Sequence, residues 1–163
     1  MLAVAVPRSA LFDVLLIVHV LVGLASLVVL GAMYGALAGL SKPSAGERWP
    51  SGPARFFAPG HEIGGRVLYL IPVTGFALLG ASQGDSSLHD SFVQIGLGLW
   101  VVAALIAEIW VFSATQRLRR LISTDEVVPA DDAWRRLVGQ ARWAIDGVLL
   151  AIVAGAVVML VQP

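Results

Sequence analysis

Three ionisable side chains interrupt otherwise apolar stretches: His19 in VLLIVHVLVGL, Glu108 in VVAALIAEIWVF and Asp146 in WAIDGVLL. Ionisable groups inside an apolar span are expensive to bury and by default mark proton, ion or cofactor sites. His19 offers an imidazole nitrogen that can ligate haem b; the plainer expectation is an interhelical hydrogen bond to Gln94. Glu108 and Asp146 fall in the other half of the bilayer, together with Arg66, Arg142, His61 and Glu62. That set reads either as a proton- or ion-responsive site or as a polar network that fixes helix register. The second reading is preferred, because opposite charges at matching depth offset one another's desolvation and arginines reach to the interface along their apolar stems.

Other chemistries are excluded or weak. The chain has no cysteine, which removes disulfides, thiolate metal sites, c-type haem attachment and a cysteine nucleophile. His61 and Glu62 begin HEIGG, which lacks the second histidine of the zinc-binding helix motif. Asp85, His89 and Asp90 have the spacing of an ordinary solvated turn, so no metal site is expected there. The formal net charge is zero, with 11 basic and 11 acidic residues, so no basic surface is offered to nucleic acid. No catalytic signature is present.

The elements that position these residues are four apolar runs. Of the 163 residues, 58% are hydrophobic and 13% charged, and the mean hydropathy is +0.83. Soluble domains carry about 25% charged residues, so the composition is that of a membrane protein. A spanning helix needs about 20 apolar residues, and runs at about 11–40, 65–82, 92–115 and 143–161 meet that need. The first run is far longer than the roughly 7–15 residues of a signal-peptide core and reads as a retained helix. The fold class expected is all-α, a single domain with four transmembrane helices in an up-down bundle.

The links set the orientation. Residues 41–64 are rich in Pro, Gly and Ser and cannot be helical throughout. The short link at 83–91 makes the second and third helices antiparallel neighbours. The link at 116–142 is expected to extend the third helix at first and then, after Pro129, to form a short separate helix over ADDAWRR. The two longer links and their flanks hold 10 of the 11 basic residues; only Arg8 lies opposite. The positive-inside rule then places the links in the cytoplasm and both termini outside, with Trp49, Trp134 and Trp143 in an aromatic belt at the cytoplasmic interface. Ten arginines against one lysine, Lys42, suggest a high-GC bacterial source and hence the bacterial cytoplasmic membrane.

Gly31, Gly35 and Gly39 form a small-residue face on the first helix, where backbones can approach closely. It serves packing within the bundle or an interface with a partner chain or a second copy. Pro72 inside the second run frees the carbonyl of Leu68, and Thr74 is placed to help satisfy the freed backbone.

The segments VHVLVGLASLVVLGAMYGAL, GRVLYLIPVTGFALLG and VVMLVQP carry a resemblance. The chain resembles a bacterial family of small integral membrane proteins of unknown function, with four helices, a histidine early in the first (His19), a Gly-Arg pair before the second (Gly65, Arg66) and an Arg-rich end to the third. More distantly, the first-helix histidine is similar to that of the copper-resistance membrane proteins and of the HemJ type of haem-binding protoporphyrinogen oxidase. The HemJ likeness implies haem ligation by that histidine and a membrane lysine. The only lysine here, Lys42, is in a link. Copper transport implies Met and His clusters, whereas Met1, Met33 and Met159 are scattered.

These readings converge on a non-catalytic accessory or anchoring subunit of a larger membrane assembly, with the bilayer and other membrane subunits as partners and no cofactor required. A haem b protein ligated by His19 and a small proton-coupled transporter using Glu108 and Asp146 are the alternatives.

Overall fold

A computed structural model describes residues 10–57, 64–82, 87–125 and 127–161. The chain is helical, and no strand occurs among the described residues. Helix α1 spans Ala10–Leu40, a run with no proline to remove a backbone donor. At its end the Ser41 hydroxyl donates to the Ala38 carbonyl (2.8 Å), and Pro43 prevents continuation. A short α2, Ser51–Phe56, lies in the first link. A 3-10 turn, Gly64–Tyr69, leads into α3, Leu70–Ala81. Helix α4, Ser91–Ile106, passes through a π segment, Ala107–Phe112, into α5, Ser113–Thr124. Helix α6 spans Ala133–Leu160.

Three helices are long and apolar enough to cross a membrane: Ala10–Leu40, Ser91–Thr124 and Ala133–Leu160. The second apolar run forms the shorter helix Arg66–Ala81. Helix α6 runs opposite to α1 and to α4, as matched contacts reveal. His19 near the start of α1 meets Thr74 in α3, Tyr34 near its end meets Arg142 near the start of α6, and Gly96 early in α4 lies against Met159 at the end of α6. Helix α1 packs between α3 and α6, and α6 packs on α4. The short link does not bring α3 and α4 together along their length; α4 is met instead by the 3-10 turn that precedes α3, where Tyr69 packs on Trp100.

The packed core occupies the half of the molecule nearest the two longer links. Leu37, Leu40, Leu68, Val111, Leu118, Val138, Ile145 and Val148 are buried there. In the opposite half no residue of α3 is buried, and Leu11, Ile17, Leu21 and Leu24 of α1 are exposed. An apolar surface of this kind belongs to a chain whose solvent there is lipid or another helix.

The links fold onto each other at the core end. Val128 N–H donates to Glu47 O (2.8 Å) and Gly46 N–H to Val128 O (2.9 Å), with Arg48 and Val127 as an antiparallel bridge. Gly46 has φ +82°, a conformation that costs a side-chain-bearing residue energy. Two expectations are corrected here. ADDAWRR is not a separate helix: Ala133 begins the continuous 28-residue α6. Trp49 and Trp134 do not face a bilayer interface; they meet edge to face at 5.5 Å and are 9% and 1% exposed. Their apolar area is worth more in the link core than at the surface. Trp143, at 80% exposure, does face outward.

Candidate functional site

Polar side chains meet inside the helices at three places. In the loosely packed half, His19 Nδ1 lies 2.7 Å from Thr74 Oγ1. The Thr74 hydroxyl also approaches the carbonyls of Leu70 (2.9 Å) and Ile71 (3.0 Å). A hydroxyl has one proton. Donated to a carbonyl, it leaves Thr74 accepting from Nδ1–H, and the neutral imidazole then presents a bare Nε2. A Cβ at Gly75 would stand 3.5 Å from His19 Cε1, so the ring rests against the α3 backbone. The expected partner Gln94 is engaged elsewhere: its amide donates to the Leu88 carbonyl at 3.3 Å.

The second place is organised by Pro72. The Leu68 carbonyl that Pro72 cannot bond is satisfied from another helix, by the Trp100 indole N–H at 3.0 Å. Thr74 serves other carbonyls. Trp100 also meets Tyr69 edge to face, at 6.2 Å between ring centres. Tyr69 in turn donates to Glu108 Oε1 at 2.6 Å. Glu108 stands in the π segment, exposed on the outer surface of the bundle. Single π turns inside α-helices leave the regular bonding pattern locally, and here the Ser113 hydroxyl donates to the Ile109 carbonyl.

The third is between α1 and α6. Arg142 Nη2 donates to the Tyr34 hydroxyl at 2.8 Å, and the guanidinium carbon stands 4.7 Å from the Tyr34 ring centre. The buried Nε of Arg142 has no hydrogen-bond partner among the described residues. Asp146, one turn further on, is exposed on α6.

Of the expected network, then, Glu108 and Arg142 are held by neutral partners rather than by each other. Arg66 is exposed, and no ion pair joins Glu108, Asp146, Arg66 and Arg142 among the described residues. His61 and Glu62 lie outside the described residues, as does Asp85. The residues that sequence reasoning passed over are Tyr34, Tyr69 and Trp100. The chain has only two tyrosines, and each binds a charged side chain of another helix. A phenol inside an apolar run, at the depth of a charged residue on another run, was the signal available.

The three glycines divide. A Cβ on Gly39 would stand 2.5 Å from Pro53 Cγ, so Gly39 is the seat of α2, whereas a Cβ on Gly31 or Gly35 would meet nothing within 4 Å. No three His, Asp or Glu side chains converge as metal ligands among the described residues. His19 alone fits a haem: its Nε2 can serve as an axial ligand. Lys42 does not fit as the second, because it follows the far end of α1, about 30 Å away at 1.5 Å per residue. A wide-open surface recess of about 540 Å³ is lined by Gly46, Thr124, Asp125 and Val127–Ala130 and offers little chemistry. No family model, curated protein or solved structure matches the chain.

Proposed function

We propose that the chain is a non-catalytic accessory or anchoring subunit of a larger assembly in a bacterial cytoplasmic membrane, joined to its partner through α1. Four spans are part of this reading. The 3-10 lead-in rises about 2 Å per residue against 1.5 Å in an α-helix, so Gly64–Ala81 reaches about 30 Å, the thickness of the hydrocarbon core. The meeting of the two Arg-rich links at one end supports a cytoplasmic location for them, with both termini outside.

The observation that carries the reading is the open face at Gly31 and Gly35. Next to them Val28 is 70% exposed. Two glycines four apart without a neighbour allow a second backbone to approach where lipid gains little. Native extraction in mild detergent, with mass spectrometry of co-purifying chains, tests it. A partner is expected with the wild-type protein and lost in G31I/G35I; a lone monomer in both refutes the proposal.

A second reading, a haem b protein, is favoured by one observation, the Thr74 contact that leaves His19 Nε2 free to ligate. Absorption spectroscopy of the purified protein decides it: a Soret band that disappears in H19A supports haem, and its absence ends that reading.

A further inference from the structure

We propose that Glu108 is a proton-binding carboxyl that opens to the membrane, with Tyr69 as its positioning residue. This rests on Ser91–Thr124 crossing the bilayer and not on the partner reading.

Depth comes first. Glu108 is nine residues before Arg117, the first of the cluster Arg117, Arg119 and Arg120, hence about 13 Å along the helix from that charged end. The neighbours Leu105, Ile109 and Trp110 are exposed large hydrophobics, so the carboxyl shares its surface with side chains suited to acyl chains. An unpaired carboxylate on such a surface is costly. Two states relieve that cost, protonation and a bound cation. The nearest cationic side chains make no ion pair with it among the described residues: Arg66 is exposed three residues before Tyr69, and Arg142 is turned to Tyr34.

Geometry then makes one oxygen special. Tyr69 donates to Oε1, while no donor among the described residues engages Oε2. Tyr69 is held by Trp100, and Trp100 by the carbonyl that Pro72 leaves free. The phenol is therefore fixed from behind by a chain of contacts running across two elements, α4 and the 3-10 turn. A proton taken from water adds to Oε2 as an O–H bond and leaves the same way; Oε1 keeps its bond from Tyr69 in both states, and no other bond changes. The charged or titratable groups on the elements packed around the π segment are Tyr69 and Arg66 on the 3-10 turn, Arg135, Arg136, Arg142 and Asp146 on α6, and Arg117, Arg119 and Arg120 on α5. Of these, Tyr69 alone bonds Glu108 among the described residues.

The test is carbodiimide modification of the full-length protein in liposomes, which captures the protonated carboxyl as an N-acylurea. Two reagents are compared, the apolar dicyclohexylcarbodiimide and a water-soluble carbodiimide, with the modified residue mapped by mass spectrometry. The proposal expects the apolar reagent to label Glu108, the labelling to fall as pH is raised, and the label to be absent in E108Q. It also expects Y69F, which leaves Oε1 without its donor, to raise the rate of labelling at Glu108 by about tenfold, with the helical circular dichroism unchanged. Glu47, in a link, is the control and is expected to react with the water-soluble reagent alone. Labelling of Glu108 by the water-soluble reagent alone overturns the proposal, since the carboxyl then lies in water and the helix does not cross there. No labelling by either reagent also overturns it, since the carboxyl is then shielded. A label indifferent to Y69F removes Tyr69 from the role assigned to it. Loss of the co-purifying partner in G31I/G35I is independent of every one of these outcomes.

Discussion

Replacing Gly39 by alanine puts the glycine-face argument to a quantitative test. The added methyl would stand 2.5 Å from Pro53 Cγ and 3.2 Å from Pro53 Cβ. Carbon atoms in contact rest about 3.5–4.0 Å apart, so the closest pair is about 1 Å too near. A proline ring cannot swing away as a long side chain would, and α2 must move as a body. Its C-terminal neighbour Phe57 is buried, and the Phe57 carbonyl accepts from Arg119 Nε at 2.9 Å; displacing α2 disturbs both. Overpacking of this kind costs about 1–3 kcal/mol, and alanine returns up to about 1 kcal/mol of helix propensity. The expected net loss is about 1–2 kcal/mol. Thermal unfolding in detergent micelles, followed by circular dichroism, measures it against G35A, which meets no atom within 4 Å and is expected to be neutral or slightly stabilising. The double variant G39A/P53A, which removes the 2.5 Å contact, is expected to recover most of the loss. If G39A and G35A melt together, Gly39 is not the seat of α2 and the division of the glycine face fails.

Four further substitutions have outcomes that follow from the contacts. W100F leaves the Leu68 carbonyl without its donor and is expected to cost about 1–3 kcal/mol; in a P72A background, where a backbone N–H is restored, the cost is expected to shrink, and a double-mutant cycle in melting experiments with no coupling refutes the linkage. W134A empties the link core beside Trp49 and is expected to cost about 3–5 kcal/mol, measured as a fall in melting temperature with faster proteolysis of the links. Y34F removes the acceptor of Arg142 Nη2 and is expected to cost about 1–3 kcal/mol. R142K in wild type is expected to be destabilised by a comparable amount, because an ammonium lacks the planar fork that both bonds and stacks on the ring.

Some of this was legible along the chain, because it depends on local composition. The apolar runs located the three long helices, and the missing donor of Pro72 identified the Leu68 carbonyl as needing a partner. Which donor arrives was not legible: Trp100 is 32 residues away, and the nearby Thr74 was the natural local guess. The same holds for Arg142, whose partner Tyr34 is 108 residues distant. Matching charges by depth favoured ion pairs, but depth does not specify which face of a helix a side chain takes. On the faces realised here, phenols reach the charges first. His19 bonds Thr74 rather than Gln94 for the same reason, since α1 packs on α3.

Sequence by itself determined that the chain is helical and apolar, that its arginines gather around two links, and that one carbonyl lacks a donor; each follows from side-chain type and spacing within a few turns. Tertiary structure decided that Trp49 and Trp134 turn inward to join the links, that Gly39 is occupied while Gly31 and Gly35 stay open, and that each tyrosine holds a charge. Those outcomes depend on how helices rotate about their axes when they pack, a choice set by close contacts between residues far apart in the chain.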